Sequence, residues 1–146
     1  MILHTTSEGI SLAKQLENDS ARFYEELAER YIKYAEAFFS IARENKKNIV
    51  QTERVYFGVI TDALEGGYAF NLDTDNYTLN IAIQDKASIS DILRKSLEIE
   101  HIIIKFYSDA AEQSKFLMAD ISRAFMLLAK KRNGRKVNLE ALLHQE

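Results

Sequence analysis

Two stretches decide how this chain is read: QLENDSARFYEELAE at residues 15–29 and EIEHIIIKFYSDAAE at residues 98–112. Each places a glutamate six residues before a Phe-Tyr pair, Glu17 with Phe23-Tyr24 and Glu100 with Phe106-Tyr107. In both, the apolar residues recur at the three-and-four spacing of one helix face. A glutamate carried on that face is aimed at the core.

Working outward, the repetition extends to most of the chain. At an offset of 83 residues, from 17 to 100, Ser7, Glu8 and Ile10 fall on Ser90, Asp91 and Leu93. At an offset of 87, from 42 to 129, Phe38, Ile41, Ala42, Asn45 and Asn48 fall on Phe125, Leu128, Ala129, Arg132 and Arg135. The halves are duplicated helical hairpins. Thr5-Thr-Ser-Glu8 has capping-box spacing and opens helix one. A turn near residues 30–34 leads into helix two, whose stripe runs through Phe38, Asn45, Thr52 and Val59 to Leu64 and is expected to stop at Gly66-Gly67. Ser90-Asp91 is expected to cap helix three. The fourth helix carries Leu117, Ile121, Phe125, Leu128, Arg132, Arg135, Leu139 and Leu142. Asn133-Gly134 could end that helix and leave residues 137–146 as a separate short one, but the register of Leu128, Arg135, Leu139 and Leu142 favours continuation.

Residues 68–87 lose the helical period and hold Asn and Asp turn formers beside a few β-branched residues. So long a connection between two short-looped pairs suits a four-helix bundle with a single crossover. Length and composition agree: 146 residues fit one domain, and zero prolines with five glycines leave few helix breakers. The expected class is all-α, a single domain over 1–146.

The chain has no cysteine, which removes thiolate chemistry, disulfides and Cys-ligated metals. A net charge of −3 offers no global attraction to nucleic acid or to anionic membrane. The opening MILHTTSEG is too polar for a signal peptide, and no stretch approaches the ~20 apolar residues of a membrane span. A cytoplasmic protein is expected, with neither membrane nor nucleic acid as partner.

The E-x5-FY phrases, the lead-ins at Phe38 to Ala42 and Phe125 to Ala129, and ALEGGYAF at 63–70 resemble the rubrerythrin-like di-iron carboxylate branch of the ferritin-like superfamily. The resemblance covers nearly the whole chain and implies a homodimer. It also implies that one Glu from each of helices one and three joins Glu-x-x-His from helices two and four around two irons. Glu17 and Glu100 match the single ligands and are the residual metal candidates. The other four positions do not match: Asn45 and Asn48 stand where Glu and His belong, and so do Arg132 and Arg135. Guanidinium has no lone pair for a metal. Glu44 neighbours Asn45 but is rotated about 100° off the stripe, so Asn45 is taken as the equivalent position.

Two Glu, two Arg and two Asn sum to zero formal charge without a metal. The expectation is a core polar network of Glu17, Asn45, Asn48, Glu100, Arg132 and Arg135, with Tyr24 and Tyr107 beside it as packing residues whose hydroxyls are satisfied. No catalytic residue and no cofactor are expected, and the function expected is non-catalytic: structural, binding or regulatory. The alternative is a di-iron oxidoreductase or peroxidase, or an iron-handling protein, with iron as its cofactor. His4, His101 and His144 lie out of phase with the core glutamates and read as surface residues. The basic run KKRNGRK at 130–136 could serve a nucleic-acid or partner-binding module, though basic residues also suit a helix C-terminus. Asp73, Asp75 and Asn76 lack the Gly and Glu of a calcium loop.

Overall fold

Thr5 starts the first helix by a full capping box. Its hydroxyl accepts from the Glu8 N–H at 3.2 Å, while the Glu8 carboxylate accepts from the Thr5 N–H at 3.0 Å. The computed structural model describes residues 1–59, 68–116 and 118–146. Among these, β1 (Ile2–Thr5) leads into α1 (Thr6–Arg30), a 3₁₀ turn at Ile32–Tyr34 and α2 (Ala35–Val59). Then come β2 (Tyr68–Asp73), a 3₁₀ turn at Thr74–Tyr77, α3 (Ile89–Ser114) and α4 (Ala119–His144). Leu64, the expected stop at Gly66-Gly67 and Leu117 lie outside the described residues.

Side-chain pairs give the directions of the helices. Along α1 and α2, Lys14 pairs with Glu53 at 2.8 Å, Ser20 with Asn45 at 2.8 Å, and Glu25 with Lys46 at 2.6 Å, so the two are antiparallel. Between α1 and α3, Glu17 meets Tyr107 and Tyr24 meets Glu100, again in opposite order. Hence α2 and α3 run the same way, and the chain must return along the bundle between them. Residues 74–88 make that return. Fifteen residues reach at most ~50 Å, enough for a 25-residue helix of ~37 Å. Tyr77 donates to Asp109 at 2.6 Å near one end of the return, and Tyr31 donates to the Ala87 carbonyl at 2.7 Å near the other. Between them Tyr77, Leu79, Ile81 and Ile83 turn toward the helices while Thr78, Asn80, Ala82 and Gln84 stay exposed, the period of two of extended chain.

Two expectations need correction. The chain is mostly helical but not purely so, since β1 and β2 form an antiparallel pair with Leu3 opposite Leu72 and Thr5 opposite Tyr68. The strands are short, and only β2, which buries Ala69, Phe70 and Leu72, leaves a trace in sequence. Second, α3 is capped by Ser88 and not by Ser90: the Ser88 hydroxyl accepts from the Asp91 N–H at 3.1 Å, which puts Asp91 in the first turn.

The apolar core follows the duplication. Tyr24 stacks on Phe38 at 6.1 Å between ring centroids in the first hairpin, and the equivalent Tyr107 packs on Phe125 at 5.6 Å in the second. Phe70 of β2 reaches Phe125 at 6.4 Å and closes one end of the core. Gly9 makes room for that ring. A Cβ there would stand 2.5 Å from Phe70 Cε2, so Gly9→Ala must displace a buried aromatic. We expect it to cost about 1 to 3 kcal/mol in chemical denaturation despite alanine's better helix propensity.

Helix α4 continues through Gly134 without a break, as its register implied. No glycine among the described residues has positive φ, and a Cβ on Gly134 would meet nothing within 4 Å. Gly134→Ala should therefore stabilise the fold by about 0.5 to 1 kcal/mol, measured by the same denaturation. An unchanged or lowered midpoint would contradict this account of Gly134.

Candidate functional site: a buried ion cluster

The helix stripes bring Glu17, Asn45, Asn48, Glu100, Arg132 and Arg135 to the middle of the bundle, one or two from each helix. All are buried; Arg132 is 0 % exposed and Arg135 4 %. Arg132 lies between the carboxylates. Its Nε and Nη2 donate to Glu17 at 3.3 and 2.6 Å, and its Nη1 donates to both oxygens of Glu100 at 2.9 and 2.8 Å. Nη2 also donates to Asn45 Oδ1 at 3.0 Å. Only the planar guanidinium fork can bridge two carboxylates in this way.

Each half completes the other. Tyr24 of the first hairpin donates to Glu100 at 2.9 Å, and Tyr107 of the second donates to Glu17 at 2.7 Å. Burial pushes both phenols well above their ordinary value, and the facing carboxylates push the same way. Burial opposes the charge on Arg132, but Glu100 and then Glu17 outweigh it, so its proton is held more firmly than usual.

The second arginine is less well served. Arg135 Nη1 donates to Asn45 Oδ1 at 2.6 Å and, more weakly, to Glu100 at 3.4 Å. Its Nη2 lies 3.1 Å from Glu44 Oε2, close enough for an ion pair but misaligned for a hydrogen bond, and Nε has no hydrogen-bond partner among the described residues. Asn48 is peripheral: Nδ2 reaches Glu17 at 3.5 Å, and its Oδ1 has no hydrogen-bond partner among the described residues. Two contributors lie outside the network expected from the sequence. Ser20, on the Glu17 stripe, accepts from Asn45 Nδ2, which orients that amide so that its oxygen faces both arginines. Glu44 sits outside the stripe, half-exposed, and reaches the cluster from its rim.

The remaining candidates lie elsewhere. His101 and His144 are exposed, while half-buried His4 stacks on Tyr68 at 4.8 Å. Of the five cations in 130–136, Arg132 and Arg135 point into the core, leaving Lys130, Lys131 and Lys136 outside. Asp73 caps the 3₁₀ turn by accepting from the Asp75 N–H at 3.1 Å.

The donor set does not suit a dinuclear metal centre. Two carboxylates remain, both engaged by a guanidinium that fills the space between them, and no imidazole is near. Among the described residues, no group of three or more His, Asp or Glu side chains is arranged to hold a metal ion. Comparison with protein-family models, with curated proteins and with solved structures returned no match.

Proposed function

We propose that this chain is a ferritin-like bundle of the rubrerythrin type in which an ion network stands in for the di-iron centre, and that its role is non-catalytic: structural, binding or regulatory. One observation carries the reading: Arg132 bridges Glu17 and Glu100 at the position where the resemblance calls for metal. The duplicated hairpins and the crossover between parallel α2 and α3 support the kinship. A cytoplasmic homodimer completes the proposal. Exposed Val50 and Phe57 of α2 and Met126, Leu127 and Val137 of α4 offer apolar surface for self-association. No described helix is long and apolar enough to cross a membrane.

Metal analysis after reconstitution with Fe(II) under anaerobic conditions tests the central claim. No bound iron is the expected result. About two irons per chain, together with a visible band on exposure to oxygen, would restore the di-iron oxidoreductase reading.

A further inference from the structure

Arg135 forms the floor of an open groove of about 590 Å³ between α2 and α4. Its lining combines apolar Ile41, Leu139 and Leu142 with polar Ser40 and Asn138. A buried arginine normally has its N–H groups satisfied, since an orphaned buried donor is costly and more so when charged. Here neither Nε nor Nη2 has a hydrogen-bond partner among the described residues. These two groups form one edge of the guanidinium fork, the edge that takes a carboxylate bidentately. Among the described residues, the carboxylate within ion-pair distance of this edge is that of Glu44, its side chain 44 % exposed and poorly aligned. Its half-hydrated carboxylate can swing into water at little cost.

Gly134 adds an independent observation. Its backbone does not need glycine and the helix would be stronger without it, yet it lines the groove beside Arg135 with open space where a Cβ would be. What the glycine provides is room. Lys131 at the rim, bonded to Gln51 at 3.1 Å, adds positive charge to the mouth.

We propose that this groove binds a small monocarboxylate with an apolar body. The carboxylate replaces that of Glu44 on Nε and Nη2 of Arg135, and the body lies along Ile41, Leu139 and Leu142. This goes beyond the proposed loss of the metal centre and does not depend on the kinship behind it, because it rests on the groove alone.

The probe is hexanoate, titrated into ¹⁵N-labelled full-length protein while the Arg135 side-chain Nε–H resonance is followed. A saturable shift is expected. Glu44→Gln, which removes the competing charge at a half-exposed position, should tighten binding about tenfold, the equivalent of ~1.4 kcal/mol. Gly134→Leu, which fills the groove, should weaken it by a similar factor, with folding checked by circular dichroism. An Arg135 resonance unmoved by hexanoate in both the wild type and Glu44→Gln overturns the site. An equal response to 1-hexanol overturns the carboxylate role, and a response to inorganic phosphate but not to hexanoate overturns the apolar one. If Gly134→Leu does not fold, the comparison of wild type with Glu44→Gln still decides.

Discussion

Arg132→Met is expected to destabilise the protein by about 3 to 5 kcal/mol, enough to leave a bundle of this size marginal or unfolded at room temperature. The reason is what the arginine leaves behind. Glu17 and Glu100 are both fully buried, and without the bridging cation they would face each other with two tyrosine hydroxyls, an amide and the weakly placed Arg135 as their remaining partners. Arg132→Lys should fare little better, because an ammonium has no fork with which to bridge two carboxylates. The diagnostic comparison is the triple variant Glu17→Leu, Glu100→Leu, Arg132→Met. Replacing a buried ion group as a whole by apolar residues is often neutral or stabilising, so it should recover most of the loss. The shortfall would come from the orphaned hydroxyls of Tyr24 and Tyr107, at about 1 to 3 kcal/mol each, and from buried Arg135, which loses its contact with Glu100. Urea denaturation measures all three. A triple variant as unstable as Arg132→Met would refute the explanation by uncompensated buried charge.

The second large effect is alkaline unfolding. In the unfolded chain Tyr24 and Tyr107 ionise near the ordinary value of 10.0, whereas in the fold burial keeps both protonated well above it. The folded state then binds more protons than the unfolded one. Their contribution is intact below pH 10 and is lost as pH rises from there toward the folded-state values. Each tyrosine contributes a slope of about 1.4 kcal/mol per pH unit, so the pair gives ~2.7. Tyr77, raised by burial and by its bond to Asp109, adds to the same trend. Stability measured between pH 9 and 12 should fall steeply, and tyrosinate absorbance from Tyr24 and Tyr107 should rise only with unfolding. Tyr24→Phe and Tyr107→Phe should each flatten the slope by about one proton, whatever they do to stability at neutral pH. Slopes unchanged in both variants would show that these phenols are not the groups responsible.

The fold was legible where periodicity and duplication coincide. Glu17, Glu100, Arg132 and Arg135 share stripes with large apolar residues, so their inward orientation follows from 3.6 residues per turn once the helices are accepted. Continuation through Gly134 followed from the same register. What the stripes do not reveal depends on tertiary contact. β1 is four residues long and is a strand only because β2 lies beside it. Ser88 takes the place of Ser90 as cap: both are good capping residues two positions apart, and local sequence does not choose between them. Glu44 lies off the stripe by its helical angle, yet its side chain is long enough to reach Arg135 from the rim. The unequal service of the two arginines was likewise hidden, since it turns on which way the Asn45 amide points.

The exchange of hydroxyls between hairpins has a further meaning once charge is assigned to each half. The first hairpin contributes Glu17, Asn45 and Asn48 to the interior, a formal −1; the second contributes Glu100, Arg132 and Arg135, a formal +1. Two copies of the first packed together would trap −2, and two copies of the second +2, in a medium where an unpaired ion costs several kcal/mol. Only unlike halves match. Charge in the cluster thus favours pairing of each hairpin with its complement over pairing with a copy of itself, whether the complement comes from the same chain or from another.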